Sequence, residues 1–416
     1  MVKNEELAKY VWKDNKKPEG FQSNSMHEFL VKICEETGPR EAGSAAEHKA
    51  ADIVKAEFEK HCDKVTKEEF KLAPRGFLSF TTLSPIFVLL GLPFFWIYPI
   101  VAAITSILGM FIFYMQFLRY AEFVDPLYPK KTSVNVIGEI NPKEEWKQTL
   151  MFSAHLDSAY QFNFNLYMPK TFNYFLIGLP IVLVIEIFAA IIFFITSWIF
   201  SVPKPVFNII GVVLAIIIVP MGSMLFWFKT KWCVMGANDN LSGIAITQGI
   251  AETLGKNQEL IPKNTKILLV AFGSEEAGLR GAKRWVKRHK DELNEKPFYY
   301  LNFDGVAKAN DIHIINAEVT LGVTYNPEIV GMVVTAAKNA GIDLTNRPLP
   351  FGATDGSAIV QGGFTDGASM EAMNIDEPME KTWYHTINDN ASVVESEALE
   401  KARKISMEFI KLIEKK

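Results

Sequence analysis

Apolar residues along this chain fall into three patterns, and each predicts a different element. The first is the short, dense run: SVNVIGEI (133–140), QTLMFSAH (148–155), TKILLVAF (265–272), FYYLNFD (298–304) and DIHIINA (311–317). Runs of that length, rich in β-branched and aromatic residues, predict strands. The second is helical spacing, seen in AAEHKAADIVKAEFEKHC (45–62), GAKRWVKRHKDEL (281–293) and SEALEKARKISMEFIKLI (396–413). Strands alternating with such helices predict an α/β fold, a mostly parallel mixed sheet with helices on both faces.

The third pattern is far longer. Residues 77–118 contain no charged side chain, and the stretches 174–200 and 206–228 have the same character on either side of SVPKP (201–205). A bilayer core takes about 20 apolar residues per helix, so these stretches predict four transmembrane helices in two hairpins, 77–118 and 174–228. Glu186 is the one ionisable residue inside them, and it is expected to face the bundle interior. Lys71, Arg75, Arg119, Lys130, Lys131, Lys170, Lys229 and Lys231 flank one side of the hairpins, against Lys204 alone on the other. The positive-inside rule then predicts an integral membrane protein whose polar part is cytoplasmic. The first twenty residues lack the apolar stretch of a signal peptide.

Net charge is −4, and no basic patch with interleaved aromatics occurs, which excludes a nucleic-acid partner. Cys34, Cys62 and Cys233 are an odd number without metal-site spacing, as expected of a reducing compartment.

Candidate chemistry collects just beyond the strand-like runs. His155 and Asp157 follow one, Glu275 and Glu276 a second, and Asp304 a third; Asp239 lies in GANDNLSG and His385 in WYHTINDN. In open α/β sheets the ligand crevice lies outside the carboxyl ends of the strands. Two imidazoles and several carboxylates make a donor set suited to zinc, and five such residues can hold two metals if one carboxylate bridges them. The adjacent glutamates repel each other, which a division of labour explains: one binds metal while the other takes a proton from the nucleophilic water. Taken singly, Asp157 reads as a turn residue, Asp239 as a helix cap and His385 as a surface histidine.

Together, SAHLDS, GANDNLSG, FGSEEAGLRGA, LNFDG and YHTINDN, in that order, resemble the co-catalytic di-zinc aminopeptidase family of peptidase clan MH, whose relatives include bacterial leucyl aminopeptidases and glutamate carboxypeptidase. GPREAGSAAEHKAADIV and ATDGSAIVQGG are similar to the family's opening and later substrate-side segments. The resemblance covers nearly all of the chain outside the apolar stretches, so 1–76, 119–173 and 229–416 are expected to form one peptidase domain. It implies that His155 and Asp304 bind a first zinc, that Glu276 and His385 bind a second, and that Asp239 bridges them. Glu275 matches the general base that activates the metal-bound water, and Asp157 the residue that orients the His155 imidazole. Co²⁺ or Mn²⁺ would suit the same donors. Tyr384 is expected to hydrogen-bond the tetrahedral oxyanion.

The implied activity is removal of N-terminal residues from peptides with a free amine, at the bilayer. Two alternatives stand beside it. A carboxypeptidase or dipeptidase on the same metals would need a grip on the substrate carboxylate, with Arg280 and Arg347 as candidates; a non-catalytic membrane scaffold would need none. The chain departs from the family in its two inserted hairpins and in Asp355-Gly356, where many relatives have Asp-His. Asn240-Leu-Ser is formally a glycosylation sequon beside Asp239.

Overall fold

In a computed structural model, residues 11–13, 17, 22–200, 204–373 and 383–416 are described; residues 201–203 of the SVPKP break lie outside them. Eleven strands are present among the described residues: β1 Lys64–Leu72, β2 Lys131–Ile140, β3 Gln148–His155, β4 Tyr160–Phe162, β5 Lys229–Cys233, β6 Thr265–Phe272, β7 Phe298–Phe303, β8 His313–Glu318, β9 Val323–Thr324, β10 Thr345–Leu349 and β11 Gly367–Glu371. The large sheet has the order β1-β2-β6-β3-β7-β11-β8-β10, with β9 beside β8. Its centre, β6-β3-β7-β11, is parallel, and β1, β2 and β8 add antiparallel pairings on either side. β3 and β7 are buried along their whole length, which is why both read as nearly unbroken apolar runs. The outermost strands read differently. β1 carries five charged residues at the sheet edge and β10 a proline, both ordinary devices for ending a sheet.

Helices cover both faces. Ser25–Thr37, Ala45–Phe58, Gly243–Lys256, Pro327–Asn339 and Ser396–Ile413 pack together on one side, with Arg280–Leu293 and Asp355–Gln361 on the other. Local signals set their starts. Asn24 and Ser44 accept the amides of His27 and Glu47, and Asn326 caps a helix that opens with Pro327.

Four helices are long and apolar enough to cross a membrane: Phe77–Ile97, Pro99–Leu118, Tyr174–Ser197 and Lys204–Phe226. They pack as one bundle. Glu186 faces its interior, fully buried and next to Ser106. The insertions leave the sheet intact because the chain is zipped together at each base. Leu72 pairs with Lys131 across the first hairpin, and Phe162 with Lys229 across the second. Register also settles which edge they leave from. The start of β2 runs beyond the carboxyl end of β6, since Val136 pairs with Ala271, and β4 follows directly on the carboxyl end of β3. Both hairpins therefore depart from the edge at which the strand-terminal histidine and carboxylates collect.

The base of the first hairpin is tied down by charge. Glu122 pairs with Arg284 and with the fully buried Arg280, which also reaches Asp125. Burial alone would raise the Glu122 pKa, but the two guanidiniums outweigh it and hold the carboxylate at about 2, against an ordinary 4.5. A carboxylate with a depressed folded-state pKa contributes its full stabilisation above the unfolded value and loses it as pH falls through the folded one. Glu122→Gln should thus cost roughly 1.5–3 kcal/mol at pH 7. The variant and parent should converge as the pH is lowered from about 4.5 toward 2, read by denaturant unfolding in detergent with tryptophan fluorescence. Parallel curves across that window would show the pair to be inert.

Candidate metal centre

The loops beyond β3, β6 and β7 bring the expected residues to one place. Asp239 stands at the middle. Its Oδ1 is 3.0 Å from His155 Nε2 and its Oδ2 is 3.2 Å from His385 Nε2, so one oxygen faces each imidazole. Glu276 Oε1 lies 3.3 Å from the same His385 nitrogen, Asp304 Oδ1 lies 3.8 Å from His155 Nε2, and Glu275 Oε2 stands 3.9 Å from it. Ligand atoms of His155, Asp239 and Glu276 all fall within 4.8 Å of one another.

Two carboxylates hold this arrangement through backbone amides. Asp157 accepts the amides of Glu275 and Glu276 at 2.9 and 3.0 Å, one on each oxygen. Its Oδ1 is 3.5 Å from His155 Nδ1, which lies nearer the Asp157 backbone carbonyl at 3.2 Å. Asp389 repeats the device, accepting the amides of Asn238 and Asp239 at 2.6 and 3.1 Å. Between them lies Arg40, fully buried, whose guanidinium donates to the carbonyls of Gly38, Leu156, Met235 and Gly236. It stitches the Asp157 loop to the Asp239 loop. Asn240 does the same for the third loop: its amide donates to the Phe303 carbonyl and its oxygen accepts from Gly305, on either side of Asp304. That spent, buried amide is closed to glycosylation in the folded chain.

The Glu275–Glu276 turn is shaped by its neighbours. Ser274 and Leu279 both adopt left-handed φ, uncommon for residues with a Cβ. Ser274 is held by Glu47, which accepts its hydroxyl at 3.0 Å and the Gly43 amide at 2.8 Å. Gly281 packs so closely on the Gly273 carbonyl that no Cβ would fit. His385 and Tyr120 are likewise left-handed. Tyr384 stacks on His385 with 3.8 Å between ring centroids.

Electrostatics mark the cluster as short of positive charge. Burial raises Glu275 well above the carboxylate range, with Glu276, Asp304 and Asp355 adding to the push against a pull from His155. Burial likewise raises Glu276, and takes Asp304 to about 7. Burial opposes the cationic form of both imidazoles, yet the surrounding carboxylates prevail, raising His155 strongly and His385 to about 10. Asp355 is buried with neither oxygen hydrogen-bonded.

Arg40, Glu47 and Asp389 were not singled out by sequence reasoning, although all three lie inside the quoted motifs. Of the arginines considered for a substrate carboxylate, Arg280 is buried against Glu122 and Asp125, and Arg347 donates to the Met373 carbonyl.

The chain is similar in part of its sequence, and in fold, to known proteins. The profile of peptidase family M28 matches residues 219–410, a stretch that begins near the end of the fourth apolar helix and holds Asp239, Glu275, Glu276, Asp304 and His385. Aminopeptidase YwaD of Bacillus subtilis is 25% identical over 182 residues, 40% of this chain and 35% of that protein. The chain thus matches about a third of that relative's length. Among solved structures, the zinc aminopeptidase BSAP from Bacillus subtilis superposes with a TM-score of 0.56 at 15% identity, covering 95% of this chain and 96% of the other. A Zn-dependent exopeptidase from Parabacteroides distasonis gives 0.55 at 15%, over 94% and 98%. An Acidobacteriales glutaminyl cyclase gives 0.54 at 14%, over 96% and 99%, so the fold is shared by more than one chemistry. Residues 219–410 thus resemble peptidase family M28, and the chain as a whole has the fold of the solved aminopeptidase structures.

Proposed function

We propose that the chain is a membrane-bound aminopeptidase working with two zinc ions. The observation that carries this reading is the divided bite of Asp239, one oxygen toward His155 and the other toward His385. A carboxylate so placed suits a bridge between two cations. His155 with Asp304, and Glu276 with His385, would complete the two sites, and the buried surplus of carboxylates fits a pair of divalent ions. Bound there, zinc supplies Lewis acidity toward a peptide carbonyl and toward water.

The chain's own groups do the rest. Glu275 stands 3.9 Å from His155 Nε2, and its amide is fixed by Asp157. Its raised proton affinity suits a general base that takes a proton from water and returns it to the leaving nitrogen. The Tyr384 hydroxyl, on a ring stacked against His385, would hydrogen-bond the oxyanion. Carboxylates not spent on metal favour a substrate ammonium over a carboxylate, and Arg280 is already occupied. Both points favour an aminopeptidase over a carboxypeptidase. The bundle is embedded in the bilayer, and the flanking lysines and arginines favour a cytoplasmic peptidase domain.

A panel of aminoacyl fluorogenic peptides beside the same peptides N-acetylated tests the reading. Turnover is expected for the free-amine series alone, and cleavage of blocked peptides with a free carboxylate would reverse the assignment. Elemental analysis should find two zinc ions per chain. Glu275→Gln should keep both and lose roughly 10²–10⁴-fold in kcat; full turnover with zinc bound would remove Glu275 from the mechanism. Asp389→Asn turns one acceptor of the Asn238–Asp239 amides into a donor. Zinc affinity should fall about 10–100-fold, read by competition with a chelating dye, with the unfolding temperature of the metal-free protein moving much less.

A further inference from the structure

Tyr120 comes just after Leu118, where the first hairpin ends, and it is held against the Glu275–Glu276 turn. Its carbonyl accepts the Lys283 ammonium at 2.6 Å, and the same ammonium donates to the Gly278 carbonyl at 3.1 Å. Its ring lies 4.6 Å from that of Phe77. Phe77 in turn covers Gly278, with ring carbons 3.1 and 3.2 Å from where a Cβ would stand. Gly278 and Leu279 both return their amides to the Glu275 carbonyl at 2.7 Å, so this aromatic pair abuts the loop that carries Glu275. Tyr120 takes up the position in left-handed backbone, φ 49°, which an aromatic residue keeps only where its surroundings over-determine it.

The hydroxyl is the end left over. It makes no hydrogen bond among the described residues, and its oxygen is not sealed from solvent. Tyr120 is 8% exposed, as is Glu275, and a phenol this buried ordinarily has a partner. Burial raises its pKa well above the usual range, and the carboxylates of Glu275, Glu318, Glu276 and Asp304, in that order, add to the rise. Tyr384 is raised by burial and then by Glu276, Asp239, Tyr120 and Glu275. Two phenols thus reach the cluster from different sides: Glu276 and Asp239 act most on Tyr384, and Glu275 acts most on Tyr120.

We propose that Tyr120 is a substrate contact whose hydroxyl donates a hydrogen bond to the backbone carbonyl of the residue just after the scissile bond. The inference rests on the aminopeptidase reading and deepens it. In that reading Glu275 returns a proton to the leaving nitrogen, so the residue carrying that nitrogen lies on the Glu275 side of the cluster, where Tyr120 stands. Among so many carboxylates the phenol stays protonated and acts as a donor. A backbone carbonyl is the acceptor that every peptide offers there, whatever its side chain. Because the hairpin base sets Tyr120, this contact makes the inserted segment part of the site.

Tyr120→Phe in the full chain keeps the ring and removes the donor. Leucylglycylglycine and leucyl-aminocoumarin are identical up to the scissile bond, and only the tripeptide has a backbone carbonyl beyond it. The substitution should lower kcat/KM for the tripeptide about tenfold relative to the coumarin, mostly through KM, with zinc content and unfolding temperature as in the parent. An equal loss on both would move the hydroxyl to the oxyanion or to Glu275, and no loss on either would make Tyr120 a packing residue; each result overturns the proposal. A second measurement needs no turnover. In the Glu275→Gln chain, Tyr120→Phe should weaken leucylglycylglycine binding about tenfold and leucinamide binding by less than about twofold, read by calorimetry. Equal weakening, no weakening, or no binding of the tripeptide overturns the assignment. A parent chain inactive toward every free-amine peptide, with the binding difference intact, would instead defeat the peptidase reading and leave the Tyr120 contact standing.

Discussion

Carboxylates crowded out of water need a cation, and much of this structure follows from that need. Asp239, Glu275 and Asp304 converge on the His155 imidazole, with Asp239 and Glu276 on His385, in a site almost closed to solvent. Buried charge of one sign is tolerated only when paired or bound to metal. Arg40 supplies one positive charge behind the site, and its hydrogen bonds go to carbonyls rather than to carboxylates. Its charge offsets Asp157 and Asp389, the two residues that hold the ligand loops by their amides. The scaffold is therefore neutralised from behind, and the ligand set is left anionic toward whatever binds in front.

The same economy explains how two hairpins fit into a compact sheet. An insertion is tolerated where its two ends already lie side by side, and the antiparallel pairs Leu72–Lys131 and Phe162–Lys229 meet that condition. Loops at the carboxyl edge can carry the clustered histidines and carboxylates because backbone groups there are free of the ladder, and hairpins can depart there for the same reason. Joining the two puts the histidine–carboxylate cluster against an aromatic floor, where His385 rests on Phe162 and Phe162 on Phe228.

What could be read from the sequence depended on how far apart the interacting groups lie. His155, Asp239, Glu275, Glu276, Asp304 and His385 stand out because each follows an apolar run or sits in a short polar motif, a purely local signal. β3, β6 and β7 were legible because strands buried on both faces are apolar throughout. β1, β10 and β11 were not: β1 alternates charges at an edge, β10 contains Pro348 and β11 is the short GASME. Arg40 was invisible for another reason, since its partners lie up to 196 residues away and are backbone carbonyls that leave no side-chain trace. Asp389 likewise serves amides some 150 residues distant. Residues that hold other residues by their backbone are the class a single sequence conceals.

Asp157 shows why that class matters for the chemistry. Read as a partner for the His155 imidazole, it would tune a ligand's basicity. The structure also gives both its oxygens to the amides of Glu275 and Glu276, so it fixes the position of these two residues together as well as facing the His155 ring. Two side chains that must do different work from adjacent positions need their shared backbone fixed, because a small rotation there would exchange their roles. A bidentate carboxylate beneath two consecutive amides blocks that rotation with charge-assisted bonds, and left-handed Ser274, itself held by Glu47, closes the turn from the other end. The adjacent glutamates can take the different roles proposed for them because the loop beneath them is held at both ends.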